Sequence, residues 1–318
     1  MLRFFKIDQG IIRDITFQPD TPPAELVATA NWIDAHDPTD EERELISGLL
    51  RIELPESDEV NEIEDSARYF IDSAGLHVHS LYLSPSEGRY TTETVAFILQ
   101  TNRLISIREA DIVDFRLFRL RARKEQIVCA NAQALFITLL EQKVENHADY
   151  LEDIHFQLEK VSYAVLEEGN TEYEACIDKL ARLEDSNGKT RLCLMDAQRD
   201  ISFLIRHLKT EKSQDKTLRE ITRDINTLMS HSTFLFDKIN FLMNSTQGFI
   251  NIQQNQIIKI FSIAAVVFLP PTLVASIYGM NFKHMPELDW LLGYPWAIGL
   301  MILAGFAPYF YFKRKGWL

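Results

Sequence analysis

Apolar positions up to about residue 125 recur in short runs with period two, the spacing of a strand that buries one face. Such runs occupy residues 31–34, 76–83, 94–99 and 104–107. Residues 38–43 hold a proline and three acidic side chains, a composition typical of the first turn of a helix. The pattern therefore predicts a small α/β domain over residues 1–125.

Beyond about Ile112 the apolar spacing changes to three or four residues, which predicts helices. One helix is predicted near residues 131–168 and another near 173–208, with a break at Gly169-Asn170. A further apolar seam then follows in alternate steps of three and four, the spacing of a coiled coil. The seam consists of Leu218, Ile221, Ile225, Leu228, Ser232, Leu235, Ile239, Leu242, Thr246 and Phe249.

The coiled-coil spacing continues without a break into a strongly apolar segment. Residues 260–282 contain no charged side chain, and neither do residues 290–312. Each run exceeds the ~20 helical residues that cross a bilayer. The sequence predicts two transmembrane helices, and an unbroken helix from about Lys216 to Met280 would be on the order of 100 Å long.

Basic residues beside a span stay on the cytoplasmic side of the membrane. Lys313-Arg314-Lys315 follows the second span and Lys259 precedes the first, so both termini are expected in the cytoplasm. Met1–Lys6 carries charges where a signal peptide needs an apolar core. The predicted domains are 1–125, a cytoplasmic α/β domain; 126–256, a cytoplasmic helical hairpin and stalk helix; 257–280, a pore-lining transmembrane helix; 281–291, an external loop; 292–312, a second transmembrane helix; and 313–318, a basic tail.

The acidic charge of the chain is concentrated before the spans. The whole chain carries −13, but residues 1–256 hold 28 basic and 44 acidic side chains, a net charge of −16. This charge argues against nucleic-acid binding, which needs a basic footprint. It favours a cationic partner, although an acidic surface that keeps the protein dispersed is the commoner meaning.

Cysteine spacing and catalytic motifs give little sign of other chemistry. Cys129, Cys176 and Cys193 form no close pair and no C-x-x-C, so they indicate reduced cytosolic thiols rather than disulfides or a zinc site. The sequence contains no glycine-rich phosphate loop and no G-x-S-x-G. An enzyme or an ATP-driven pump is therefore not expected.

One face of the first span carries every serine and threonine of that span. In steps of three and four it consists of Asn255, Ile258, Ser262, Ala265, Leu269, Thr272 and Ser276. Close helix packing in lipid is one explanation of such small and hydroxyl residues. The stripe continues into amide side chains at both ends of the span, Asn255 and Asn281. A water-filled axis along the stripe explains these amides as well as the small residues. Ile258 and Leu269 would then be apolar constrictions that gate by dewetting.

The first span ends in Tyr278-Gly279-Met280-Asn281. A glycine in the left-handed conformation that caps a helix is one explanation of this step. However, the stretch 277–282, then Met285-Pro286-Glu287-Leu288, the segment 268–273 and the ending Gly316-Trp317-Leu318 together resemble the CorA family of magnesium channels. The resemblance covers the whole chain and is greatest to the enterobacterial-type, cobalt-transporting branch.

The resemblance implies an α+β protein in which an N-terminal cytoplasmic α/β domain, long coiled-coil-like stalk helices and two C-terminal transmembrane helices assemble into a pentameric funnel. It implies a homopentamer in the bacterial inner membrane that conducts Mg²⁺, Co²⁺ and Ni²⁺. Gly279, Met280 and Asn281 would form an external selectivity filter, and Asn255 a second ring at the inner mouth. Mg²⁺ would be both the transported and the regulatory ion, with no organic cofactor.

Neutral oxygens suit this ion, because Mg²⁺ sheds its octahedral water shell reluctantly. Amide and carbonyl oxygens can accept hydrogen bonds from those waters, so selection would act on the hydrated ion. Many relatives carry an acidic residue after the motif, whereas this chain has Lys283. Glu287 and Asp289 leave the external loop only slightly negative.

Intracellular Mg²⁺ is expected to hold the channel shut by bridging acidic surfaces of neighbouring subunits. Glu220 and Asp224 on the stalk and Glu87 in the α/β domain are the candidate ligands. A uniformly acidic surface without a discrete site is the alternative.

Two other functions remain open on the sequence. A two-span sensor would need a ligand domain between the spans, and the short loop leaves no room for one. A zinc transporter of the same superfamily would share the architecture. His77 and His79 lie on one strand face and could hold a transition metal, but a surface strand pair is favoured.

Overall fold

The computed structural model describes residues 1–15, 23–50, 68–86, 89–167, 172–208, 211–283, 285–287 and 289–316. These residues form two compact units, Met1–Met243 and Asn244–Leu318. The predicted helix break at Gly169-Asn170 and the candidate ligand Glu87 lie outside the described residues.

The described part of the first unit contains one mixed sheet. Its strands are β1 (Leu2–Asp8), β2 (Ile11–Asp14), β3 (Trp32–His36), β4 (Tyr69–Ile71), β5 (Leu76–Ser86), β6 (Arg89–Leu99) and β7 (Leu104–Arg108). They lie in the order β2-β1-β3-β7-β6-β5-β4. The β3–β7 pair is parallel and every other pair is antiparallel. The four strands that the apolar runs predict are therefore confirmed as β3, β5, β6 and β7.

The helices agree closely with the predicted ones. They are α1 (Pro23–Thr29), α2 (Asp40–Leu50), α3 (Val113–Arg123), α4 (Ala132–Glu167), α5 (Tyr173–His207), α6 (Lys212–Tyr278) and α7 (Gly293–Arg314). The side chain of Asn131 caps α4 by accepting a hydrogen bond from the Ala134 amide at 2.8 Å. The prediction of one unbroken stalk helix is confirmed by α6, which also contains Pro270 and Pro271.

Helices cover both faces of the sheet. On one face, α1 and α2 bury aliphatic side chains against the strands, among them Val27, Ile33 and Ile46. The other side holds an aromatic group in which the rings of Phe97 and Phe136 lie 4.8 Å apart. Because each face buries apolar area, this unit has a layered α/β/α core.

A buried ionic network joins β5 to α4 and α5. The ammonium of Lys143, which is fully buried, donates to Ser80 Oγ at 2.7 Å and lies 3.4 Å from both Asp196 Oδ2 and Asp200 Oδ2. Asp196 also accepts a hydrogen bond from the Leu81 amide at 2.6 Å. Burial disfavours the charged lysine, but Asp200 and Asp196 outweigh it and raise the pKa of Lys143. The network therefore fixes two helices to the sheet.

The interpretation of His77 and His79 as a surface strand pair is wrong, because both side chains are buried. His77 Nε2 lies 3.0 Å from Asp72 Oδ1, and its ring stacks on Phe70 with centroids 4.2 Å apart. Burial lowers the pKa of His79 to about 4, with His77 adding repulsion. These histidines are part of the packed core.

The apolar seam of α6 is buried along most of its length, including Leu218, Ile225 and Leu235. Polar contacts fix its register against α5. Asn187 of α5 donates to the Ser232 carbonyl at 3.0 Å, and Gln198 donates to Asn226 Oδ1 at 3.1 Å. The coiled-coil prediction is confirmed for this segment.

Candidate ion-conduction pathway

Two described helices are long and apolar enough to cross a membrane, the C-terminal part of α6 and the whole of α7. Both belong to the unit Asn244–Leu318. The apolar stretch of α6 that is long enough to cross a bilayer has no residue buried within the chain. In α7 only a small share of the residues is buried. Their surfaces are thus available to lipid or to other copies of the chain.

Small residues bring the two spans together inside this unit. A Cβ atom added to Gly305 of α7 would lie 3.2 Å from Pro271 Cγ, so a larger residue would press on α6. Beside this contact runs a crevice of about 470 Å³, lined by Val267, Phe268, Pro271, Met301, Ile302, Gly305, Phe306 and Tyr309. Glycine at this approach is typical of helix packing in membranes.

The helix continues through Pro270 and Pro271 although neither can donate a backbone hydrogen bond. Thr272, directly after them, donates its hydroxyl to the Phe268 carbonyl at 2.7 Å. Its hydroxyl oxygen keeps lone pairs that can accept hydrogen bonds. Thr272 therefore stabilises the helix after the two prolines and can still accept a hydrogen bond from water.

The face of the first span that contacts α7 differs from the predicted pore stripe. Half-buried positions include Val267, Pro271 and Val274. By contrast, every member of the stripe is exposed within the chain: Asn255, Ile258, Ser262, Ala265, Leu269, Thr272 and Ser276. Ile258 and Leu269 are 60% and 65% exposed. Ser262 also borders a crevice that includes Ile263 and Phe312, so it lies at the edge of the free face.

The first span ends where the sequence predicts the filter. The amide of Gly279 donates to the Ala275 carbonyl at 2.9 Å, and that of Met280 to the Ile277 carbonyl at 3.2 Å. Gly279 does not have a positive φ, so the left-handed cap is wrong as an explanation of this glycine. A Cβ at position 279 would lie 3.2 Å from the Ala275 oxygen. Glycine therefore leaves the backbone here uncovered.

The loop after the filter is anchored by a glycine that sequence reasoning missed. A Cβ on Gly293, the first residue of α7, would lie 2.2 Å from the Glu287 carbonyl oxygen. The Trp290 amide donates to that same oxygen at 3.4 Å, and the Gly293 amide to the Trp290 carbonyl at 2.9 Å. The Glu287 backbone is thus held against the start of α7, while its side chain is exposed.

The candidate regulatory carboxylates Glu220 and Asp224 lie on the exposed side of α6. Glu141 of α4, which the sequence did not single out, lies close enough to Glu220, Asp224 and Glu145 for their charges to act on it. Burial, followed by Glu145, Asp224 and Glu220, raises the pKa of Glu141. Glu220 is partly neutralised, since its Oε1 lies 3.5 Å from Lys216 Nζ. Four carboxylates therefore share one stretch of the surface.

Within a single chain, the described residues include no group of three or more His, Cys, Asp or Glu side chains arranged to hold a metal ion. One chain also supplies only one Gly279-Met280-Asn281 step. A ring of filter residues would accordingly need further copies of the chain.

Comparison with known proteins identifies this architecture. The family profile described as CorA-like Mg²⁺ transporter protein matches residues 27–314. The magnesium transport protein CorA of Yersinia pseudotuberculosis is 49% identical over 320 residues, and that of Escherichia coli is 46% identical. Both alignments cover 100% of this chain and 100% of the relative.

A solved structure described as the complete CorA magnesium transporter from Methanocaldococcus jannaschii has the same fold. It superposes with a TM-score of 0.78 at 20% identity, covering 100% of this chain and 99% of that one. Fold, full-length identity and family profile agree. The chain therefore belongs to the CorA family, whose members are membrane transporters and not enzymes.

Proposed function

We propose that this protein is a homopentameric channel for Mg²⁺ influx that also conducts Co²⁺ and Ni²⁺. The names of its full-length relatives support Mg²⁺ as the transported ion. Five first spans surround the pore, and Gly279, Met280 and Asn281 of each chain form the external filter. Intracellular Mg²⁺ closes the channel.

The observation that carries the proposal is the free face of the first span. Packing between the two spans uses Val267, Pro271 and their neighbours, which leaves the stripe from Asn255 to Ser276 uncovered. A face that carries hydroxyls and small side chains gains little from exposure to lipid. Around a central axis, the same face meets water and the permeating ion.

The filter selects the hydrated ion. Asn281 presents an uncharged amide oxygen, and Gly279 is exposed within one chain. Such oxygens accept hydrogen bonds from the six waters that Mg²⁺ retains. The absence of carboxylates among these three residues means that the ion keeps its shell and can leave again.

Ile258 and Leu269 form the gate. Each is an apolar side chain on an otherwise small or polar stripe, and both are more than half exposed within one chain. In a pentamer they become two apolar rings. A narrow apolar ring expels water when it closes and stops conduction without a plug.

Regulation follows from the charge of the cytoplasmic portion. Five copies of residues 1–256 bring together about −80 formal charges, which repel at contact distance unless screened or bridged. Mg²⁺ bridges between Glu220 or Asp224 and acidic groups of a neighbouring subunit offset that repulsion. When internal Mg²⁺ falls, the subunits separate and the α6 helices open the gate.

The proposed location is the bacterial inner membrane, with both termini in the cytoplasm. The basic residues Lys313, Arg314 and Lys315 after the second span support this orientation. A C-terminal tag should be unreachable by impermeant reagents in spheroplasts and labelled after lysis. Labelling of intact spheroplasts would contradict the topology.

Flux through the purified protein in liposomes tests the proposed activity. External Mg²⁺ should enter vesicles that contain the protein and a Mg²⁺-sensitive dye, driven by a negative inside potential. Co²⁺ and Ni²⁺ should enter by the same route, and a pH gradient should leave Mg²⁺ entry unchanged. Entry that requires a pH gradient, or that occurs for Zn²⁺ and not for Mg²⁺, would contradict the proposal.

The oligomeric state is tested separately by native mass spectrometry in detergent. A pentamer is expected, because the stripe of one chain cannot enclose an ion path. A dominant dimer would contradict the pore assignment, whichever ion the protein carries.

A further inference from the structure

A cavity of about 650 Å³ lies in the first unit, apart from the candidate pathway. It is formed by β1, the end of β2 and one face of α3. Its lining consists of Met1, Leu2, Arg3, Phe4, Asp14, Ile15, Arg116, Arg119, Leu120 and Arg123. We refer to it as the arginine cavity, since four of these residues are arginines and one is acidic.

The spacing of the arginines along α3 places three of them on one face of the helix. Arg116, Arg119 and Arg123 are separated by three and four residues, so they share one face of a helix with 3.6 residues per turn. Arg121 lies on a different face, where it donates to Glu145 Oε2 at 3.1 Å and also contacts Gln142. Three cationic side chains of a single helix therefore converge on the cavity and the fourth does not.

Carboxylates offset only part of this charge. Arg116 lies 3.2 Å from Asp111, Arg123 lies 3.3 Å from Asp14, and both pairs are exposed.

Arg119 lies 2.9 Å from the buried Asp34, but Arg108 also binds that carboxylate, at 3.1 Å. Arg3 has no ion pair with any carboxylate that the structure describes. Burial lowers the pKa of Arg119; Asp34 opposes this change, and repulsion from Arg3 and Arg108 adds to it. The cavity therefore has a positive potential that an anion would relieve.

This potential stands out against the charge of the surrounding chain. Residues 1–256 carry a net charge of −16, yet the cavity lining carries four arginines against Asp14. The N-terminal ammonium beside it is already neutralised by Glu42 at 2.7 Å. A general excess of basic residues cannot explain the arginine cavity.

We propose that the arginine cavity binds an organic phosphate of nucleotide size. Guanidinium groups match phosphate oxygens with paired, charge-assisted hydrogen bonds. Leu2, Ile15 and Leu120 supply an apolar wall for the organic part of the ligand. The volume is within the ~300–1,000 Å³ of sites for small organic ligands. Inorganic phosphate would leave the apolar wall unused.

Fluorescence anisotropy with a labelled ATP tests the proposal on the full-length protein in detergent. EDTA in the buffer removes divalent cations, so binding is independent of the Mg²⁺ chemistry of the channel. Unlabelled ATP, ADP, AMP, inorganic phosphate and adenosine then compete with the probe. Competition should weaken from ATP to AMP and be weakest with adenosine. Equal competition by adenosine, or no rise in the anisotropy of the labelled ATP at the highest protein concentration, would overturn the proposal.

Variants locate the site. Arg3→Gln combined with Arg116→Gln should weaken ATP binding by about tenfold or more, because two charge-assisted contacts are lost. Arg116→Lys alone should weaken it less, since the charge remains without the paired donors. Arg121→Gln is the matched control on the same helix and should leave binding unchanged. Equal weakening in Arg121→Gln would mean that ATP responds to overall charge, and the proposal would fail.

Discussion

In Met1–Met243 the charged side chains that leave water find partners in the same chain, whereas the first span of Asn244–Leu318 leaves its apolar surface uncovered. Lys143 is buried beside Asp196 and Asp200, and Asp34 beside Arg108. No residue in the membrane-spanning stretch of α6 is buried, although this stretch is more apolar than the span in α7. The first unit buries its charged groups within its own chain, whereas the apolar surface of the second is left open to lipid or to other copies of the chain.

The largest effect on stability is expected for a substitution in the buried ionic network of the first unit. Lys143→Met leaves Asp196 and Asp200 buried without their cation, and losing one partner of a buried ion pair costs about 3–5 kcal/mol. Urea unfolding of the detergent-solubilised protein should show this loss. Lys189→Met is the control, because Lys189 pairs with Asp185 in a partly exposed i,i+4 contact and should cost below ~1 kcal/mol. Equal losses would contradict the stabilising role of the network.

A smaller effect, with a defined pH dependence, is expected at His147. Burial, with repulsion from Lys143, lowers its pKa to about 3, so the folded protein keeps it neutral while the unfolded chain protonates it near pH 6.5. Stability from this residue is therefore lost as pH falls below 6.5, by about 2 kcal/mol at pH 5.

His147→Leu removes this proton uptake from the unfolded chain. As the pH is lowered from 7 to 5, the free energy of unfolding of the variant should rise relative to that of the original protein. Urea unfolding at both pH values measures this difference. A difference that does not change with pH would show that His147 is not held neutral.

In the second unit the expected effects are on conduction. Leu269→Asn wets the proposed gate, and a barrier lower by ~1.4 kcal/mol would raise the resting Mg²⁺ leak about tenfold. The leak is measured in liposomes with high Mg²⁺ on the cytoplasmic side. Leu303→Asn is the control, since Leu303 of α7 is 67% exposed against 65% for Leu269. An unchanged leak in Leu269→Asn would argue against a gate at this position.

The smallest effect is expected at the proposed regulatory carboxylates. Chelation should expose cytoplasmic protease sites in the purified protein, and millimolar Mg²⁺ should protect them. Glu220→Gln with Asp224→Asn should raise the half-protecting Mg²⁺ concentration about threefold, because exposed carboxylates contribute below ~1 kcal/mol each. Glu184→Gln, another exposed carboxylate, should not. If NaCl of equal ionic strength protects the protease sites as well as Mg²⁺ does, general screening of charge explains the protection and the bridging hypothesis is wrong.

The elements that sequence predicts best are those whose pattern has one cause. The seam of α6 repeats one spacing over many residues, and the strands β5 to β7 each contain a run of apolar residues that predicts a strand. β1 buries Phe4 and Phe5 in succession, so its pattern does not alternate. β2 and β4 are only four and three residues long, and they are held by pairing with β1 and β5. Such contacts leave no local signal.

Some residues of the candidate site could likewise be found from the sequence, and others could not. The stripe from Asn255 to Ser276 could be found in the sequence because its members recur at helical spacing, and all of them are exposed within the chain. Its role as a pore lining stays a prediction. His77 and His79 could not be interpreted locally, because both become buried only in the folded sheet, where the paired strand β4 places Phe70 against the His77 ring. The glycine at 293 and the carboxylates at 141 and 145 acquire their roles from distant contacts.

In the proposed filter, Mg²⁺ passes a ring of Asn281 side chains on the axis of a pentamer. This ring is tested by the Mg²⁺ flux through Asn281→Ala in liposomes, with native mass spectrometry and urea unfolding on the same preparation. Flux should be abolished while the pentamer and the stability of the first unit are unchanged, because the substitution removes an acceptor for the waters of the ion and not a packing contact. Flux near that of the unmodified protein, with the pentamer intact, would contradict the filter.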